Sequence, residues 1–251
     1  TTEIYTLSLH DALPISLAGQ TISSDYELAE LLIAISKNQP LTEQMQAGFV
    51  TASQSISSDY ERHRVLSAAL SRPGLTPGTQ ATMLDAAAGI NSDYELAELL
   101  IELNKSRKID DAVRPAYFRA ASLLQSDYEH RRVLDAVVSR QGMTPAMIAG
   151  VLESAQTINS DYEMAELLIK IGGSYALDDA LRPPFFAAAG SLNSDYEHAR
   201  TLRSVIERGE VPQPVALAVL ESAKGISSDH ELAELLIAVI RNVKMDATIR
   251  A

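Results

Sequence analysis

Acidic residues separated by one position recur along the chain: Asp25 with Glu27, Asp59 with Glu61, Asp93 with Glu95, and onward to Asp229 with Glu231. Paired carboxylates are raw material for calcium sites, but calcium takes about six to eight oxygens converging on one loop, usually with a glycine to turn it. Here each pair opens an apolar run and brings no such glycine. His130 and His198 are metal-ligand types, yet they lie 68 residues apart at equivalent positions. Helices pack about 8–10 Å apart, so two repeats separate these imidazoles by roughly twice that, too far to share an ion. No H-E-x-x-H, G-x-S-x-G or phosphate-loop pattern occurs. The expectation is a non-catalytic chain with no cofactor and no metal site. Arg62, Arg64, Arg131, Arg132, Arg200 and Arg203 remain. Guanidinium groups bind carboxylate or phosphate bidentately, so these six either meet a partner or neutralise Glu30, Glu98, Glu166 and Glu234. The acidity of the chain favours neutralisation.

What positions these residues is a repeat. The tetrad Ser-Asp-Tyr-Glu, with His230 in place of tyrosine in the last copy, places its aspartate at 25, 59, 93, 127, 161, 195 and 229, 34 residues apart each time. A fixed period of this length signals stacked supersecondary units rather than one irregular core. The units are 24–57, 58–91, 92–125, 126–159, 160–193 and 194–227, with a partial seventh from Ser228 to Ala251.

The tetrad itself reads as a helix start. Ser24, Ser58 and Ser92 can each accept from a free first-turn N–H, while Glu27, Glu61 and Glu95 reach back to the serine N–H, a capping box. Asp25, Asp59 and Asp93 put negative charge at the positive end of the helix dipole. Tyr26, Tyr60 and Tyr94 recur in every complete unit, which suggests packing between neighbouring repeats with the hydroxyl toward water. After the tetrad, Leu28, Leu31, Leu32 and Ile35 follow the i, i+3, i+4, i+7 pattern of a helix with one buried face.

A second helix follows in each unit, capped by Thr42, Thr76, Asp110, Thr144 or Asp178. Large apolar residues such as Phe49, Met83 and Phe185 precede small ones such as Ala52, Ala86 and Ala188, so that neighbouring helices can approach closely. Pro115 and Pro183-Pro184 stand several residues past the cap, which predicts a separate short turn at "DDAVR" and "DDALR" before the helix.

A longer period overlies the first. Odd units continue the tetrad with "LAELLI" or its near copy, and even units with "RHRVL", "HRRVL" or "HARTL". Glu30, Glu98, Glu166 and Glu234 thus alternate with Arg64, Arg132 and Arg200, a spacing that predicts an inter-repeat Glu–Arg ladder, each exposed rung worth roughly 0.2–1 kcal/mol. Arg62, His130 and His198 replace Leu28, Leu96 and Met164, which suggests that the odd helices are the more deeply covered.

With 33 acidic and 21 basic residues the 251-residue chain carries a formal charge of −12, which disfavours nucleic acid and anionic membrane surfaces. No cysteine is present, so disulfides and thiolate metal sites are excluded, and periplasm and cytosol suit the chain equally. The apolar runs fall short of the roughly 18 residues a spanning helix needs, so no direct membrane insertion is expected. The first sixteen residues, "TTEIYTLSLHDALPIS", match one reading frame of a sequencing adapter. They read as a non-native segment, leaving 17–251 as a single solenoid domain cut at both ends. Terminal repeats without caps expose apolar surface, so self-association through Ser228–Ala251 is an expected consequence of the cut.

The period matches that of tetratricopeptide repeats, but "SDYELAELLI" lacks their tryptophan, glycine and closing proline. Ser24 to Ala251 more closely resembles the "SDYE" helical repeats of bacterial open reading frames, some downstream of membrane metallopeptidase domains similar to β-lactam sensors. That resemblance implies an accessory solenoid without catalytic residues. The fold expected is all-α, an α-solenoid of stacked helical hairpins. Its expected function is a scaffold or sensor segment binding a protein or peptide, the alternatives being a structural spacer or a fragment of an enzyme whose catalytic domain lies elsewhere.

Overall fold

A computed structural model describes residues 21–107 and 109–243; the expectations for residues 1–16 and for the tail beyond 243 lie outside these. Among the described residues the protein is all-α, a succession of helical hairpins at the 34-residue period. The chain divides between Gln125 and Ser126 into two compact units, and the division falls on a repeat boundary.

The first unit contains α1 (Asp25–Asn38), α2 (Glu43–Gln54), α3 (Asp59–Leu70), α4 (Pro77–Ala86), α5 (Asp93–Ser106) and α6 (Arg114–Ala121). The second contains α7 (Asp127–Val138), α8 (Pro145–Ala155), α9 (Asp161–Ser174), α10 (Arg182–Ala189), α11 (Asp195–Ile206), α12 (Gln213–Ala223) and α13 (Asp229–Asn242). Within each unit the first helices of successive repeats pack on one another, as do the second helices. Two layers result, with the core between them.

The first-helix layer contributes Leu28, Leu32, Val65, Leu66 and Leu100, all essentially buried, and the second-helix layer Phe49, Met83 and Tyr117. Ala52, Ala87, Ala121, Ala155 and Ala189 are likewise without exposed surface. At these positions a larger side chain would hold the layers apart. Each fully buried leucine stabilises the stack by about 1.5–3 kcal/mol relative to exposure.

The turns follow local chemistry. Thr76 and Thr144 accept from the N–H of Thr79 and Met147 at 3.1 and 3.2 Å, whereas Thr42 makes no such bond. In the "DDAVR" and "DDALR" segments, Asp110 accepts from Ala112 and Val113, and Asp178 from Ala180 and Leu181, all at 3.0 Å. These Asx turns keep Pro115 at the second helical position of α6, and Pro183 and Pro184 at the second and third of α10, within the first turn where no N–H is needed.

In the second and sixth repeats an arginine after the first helix ties that repeat to the one before. Arg72 Nη1 donates to the carbonyls of Ser36 and Gln39 at the end of α1. Arg208 Nη1 does the same for Gly172 and Tyr175 at the end of α9, at 2.6 Å to each. A cation here satisfies orphan carbonyls and faces the negative pole of the helix.

Candidate interaction surface

The tetrad divides into residues that build and residues that face water. Each serine accepts from the N–H of the glutamate three residues on, at 3.3–3.4 Å, from Ser24 with Glu27 to Ser228 with Glu231. The reciprocal half of the expected capping box is replaced. The serine N–H is taken by the aspartate of the preceding repeat: Ser57 and Ser58 donate to Asp25 at 3.1 and 2.8 Å, and Asn91 and Ser92 to Asp59 at 3.1 and 2.9 Å. In the second unit Asn159 and Ser160 donate to Asp127, Asn193 and Ser194 to Asp161, and Ser227 and Ser228 to Asp195, each with one bond of 2.8 Å. Gln125 donates to Asp93 at 3.2 Å. The aspartate is therefore an inter-repeat fastener as well as a dipole partner. Bonds of this charge-assisted kind contribute about 1.5–3 kcal/mol.

Six of the tetrad glutamates, released from the serine N–H, bond basic side chains. Glu61, Glu129 and Glu197 meet Arg64, Arg132 and Arg200 one turn along their own helices at 2.5–2.7 Å. Glu95 meets His63 at 2.7 Å, Glu163 meets Arg131, and Glu231 lies 3.6 Å from Arg203. The expected ladder has rungs at Arg64–Glu30, 2.5 Å, and Arg200–Glu166, 2.7 Å. The bonds to Glu30 and then Glu61 hold the Arg64 guanidinium well above the ordinary arginine range. Arg131 and Arg203 do not neutralise the ladder glutamates as expected but the tetrad ones, and Arg131 also bonds Asp135 at 2.6 Å. Glu98 lies on α5 and Glu234 on α13.

Arg62 requires a correction. Far from facing a partner, it is only 8 % exposed, and its Nη2 donates to the carbonyls of Ile56 and Gln54 at 2.5 and 3.3 Å. The equivalent His130 and His198 are buried as well, donating or accepting through Nε2 with Ser154 and Ser222 at 2.9 and 2.8 Å. Burial lowers the His130 pKa to about 4, against the opposing pull of Asp127, and lowers that of His198 for the same reason. Leu28, Leu96 and Met164 at this position are equally buried. Odd helices are thus no more deeply covered than even ones; the polar side chains find partners in the same environment.

The tyrosines depart furthest from expectation. They are not buried between repeats: Tyr26, Tyr60, Tyr94, Tyr128, Tyr162 and Tyr196 are each 51–58 % exposed. Their second helical position points them along the outer edge of the first-helix layer. Arginines lie over the rings, Arg64 at 5.8 Å from the centroid of Tyr26 and 6.0 Å from that of Tyr60, Arg131 and Arg132 at 5.6 and 6.0 Å from Tyr128, and Arg200 at 5.7 Å from Tyr162. Each unit thus carries a row of half-exposed aromatic rings interleaved with guanidinium groups whose charge is already met by carboxylates.

A cavity of about 460 Å³ lies between the α9–α10 and α11–α12 loops, walled by Leu177, Val205, Val211, Pro212 and Val215. Its polar wall residues Asp178 and Arg208 are spent on backbone groups. On α13, Leu236, Ile237 and Ile240 are exposed. Among the described residues no cluster of three or more histidine, aspartate or glutamate side chains is arranged to hold a metal ion, and no helix is long and apolar enough to cross a membrane.

These features define an all-α helical-repeat protein with a repeated aromatic and charged edge. Comparison with known protein families, with curated proteins and with solved structures finds no match.

Proposed function

We propose that this chain is a non-catalytic helical-repeat scaffold that binds a protein or peptide along its tyrosine-bearing edge. The observation that supports this reading is the exposure of the ring at the same position of every complete repeat. Tyrosine combines a large apolar face with a polar tip, and it is enriched where proteins meet. Stacked repeats also offer extended surfaces rather than a closed pocket. A structural spacer is the second reading, favoured by the mutual neutralisation of the arginines and carboxylates. Selection of a displayed random-peptide library on the protein separates the two, with counter-selection on a variant carrying Tyr26→Ala, Tyr60→Ala and Tyr94→Ala. Enriched peptides that bind the parent and not the variant support the scaffold. No enrichment, or peptides held equally by both, supports the spacer.

A further inference from the structure

We infer that the row Tyr26–Tyr60–Tyr94 of the first unit takes an extended polyproline II peptide bearing lysine or arginine; this rests on the scaffold reading. The first argument is the repeat distance. The rings recur once per stacked first helix, and packed helices lie about 8–10 Å apart. A polyproline II helix advances about 9.3 Å in its three-residue turn, so every third residue of such a peptide meets the next ring in the same orientation. A strand returns to the same face every ~6.8 Å and an α-helix every ~5.4 Å, and neither keeps step with the rings.

The second argument is the shape and chemistry of the row. The Arg64 guanidinium lies between the Tyr26 and Tyr60 rings, within 6.0 Å of both centroids. It is fixed there by Glu30 and Glu61 at 2.5 and 2.6 Å. The Tyr26 and Tyr60 rings on either side of it each keep more than half of their surface exposed. Proline rings pack on exposed aromatic faces, and a polyproline segment has little conformational entropy left to lose.

The third argument is charge. Asp25, Glu27, Glu30, Asp59 and Glu61 stand within about a turn of Tyr26 or Tyr60, and the carboxyl oxygens of Asp25 and Asp59 accept from backbone N–H groups. Arg64 is committed to two of these carboxylates. An acidic peptide is repelled here and a basic one attracted. The second unit places Arg131, Arg132 and Arg200 beside its row, so its tyrosines sit in a less acidic setting. The first unit is the one assigned.

The test is fluorescence anisotropy of a labelled peptide of four Pro-Pro-Lys triplets, titrated with the full chain at near-physiological salt. Saturable binding is expected, weakened by about tenfold or more in Tyr60→Ala, as for a central aromatic anchor. Tyr60→Phe keeps the ring and holds the affinity within about threefold, and Gln156→Ala at the exposed end of α8 leaves it unchanged. Four Gly-Gly-Lys triplets, with the charge but not the backbone preference, bind at least about tenfold more weakly, and four Pro-Pro-Glu triplets do not bind. Thermal melts of the variants check that each is folded. Absence of binding, equal binding of the glycine peptide, or indifference to Tyr60→Ala overturns the inference. If the library selection meanwhile yields tyrosine-dependent peptides of another chemistry, the scaffold reading stands and this occupant alone falls.

Discussion

Helix α3 of the first unit and helix α7 of the second occupy the same place in the repeat and bury different polar groups there. In α3 the group is Arg62, which reaches the carbonyls of Gln54 and Ile56 across space left by Gly89; a Cβ on that glycine would meet Arg62 Nη1 at 2.5 Å. In α7 it is His130, bonded to Ser154 at 2.9 Å and facing Thr157 at 3.4 Å. Helix α11 repeats the second solution with His198 and Ser222. One second-helix position changes in step with the first: Ala86 accompanies Arg62, and Ser154 and Ser222 accompany His130 and His198. An unpartnered buried polar group costs about 1–3 kcal/mol, so the side chains must be exchanged as sets. One difference persists, because Arg62 Nε is buried without an acceptor among the described residues.

Acid separates the two solutions most strongly. With a folded pKa of about 4 against about 6.5 unfolded, His130 binds fewer protons in the native state between those values. Stability therefore falls as pH drops through that window, by roughly 3 kcal/mol in all, and His198 acts in the same direction. At the same place α3 holds no imidazole. NMR titration of the ring protons should place the His130 midpoint near 4; a midpoint near 6.5 would remove the basis of the prediction.

The glycines come next. Gly89→Ala forces the Arg62 guanidinium off its carbonyl partners and should cost about 1–3 kcal/mol. Gly225→Ala meets His198 Cε1 only at 3.6 Å and should be neutral or stabilising by about 0.4–1 kcal/mol, because alanine restricts the unfolded chain. Urea unfolding of the two variants checks the contrast, and equal effects would contradict it.

The smallest effect is the transplant. Arg62→His alone leaves an imidazole without its hydroxyl, and Ala86→Ser supplies it. A double-mutant cycle should show a coupling of about 1 kcal/mol in favour of the pair, and additive changes would mean that the two positions do not act together.

The fold was legible because every level of the sequence agreed. The 34-residue spacing, the serine cap and the i, i+3, i+4, i+7 leucines all point to stacked hairpins, and the Asx turns before α6 and α10 could be read from "DDAVR" and "DDALR". What escaped was the bonding of each aspartate to the backbone of the next repeat, since the reading of caps is local and Asp161 acts 32 and 33 residues away. A signal was present. A helix dipole accepts glutamate as well as aspartate, yet all seven tetrads have aspartate, as a short side chain held against the next backbone requires. Arg72, Arg140 and Arg208 likewise recur every 68 residues. The candidate edge is hard to read for a different reason: recurrence in every repeat suits packing, and a recurring residue can equally line a surface. Burial depends on which way the second helical position points, and periodicity alone does not give that.

The central claim is that adjacent tetrad residues have opposite duties, aspartate joining the repeats and tyrosine remaining on the surface. Asp161→Ala removes the acceptor for Asn193 and Ser194 and should cost about 2 kcal/mol. Tyr162→Ala loses an exposed contact with Arg200, worth about 0.5–1 kcal/mol, and gains helix propensity. Thermal unfolding of the two variants under identical conditions tests this directly. The account predicts a melting temperature lowered by about 4–8 °C for Asp161→Ala and one within about 2 °C of the parent for Tyr162→Ala; equal losses, or a larger loss for the tyrosine, would contradict it.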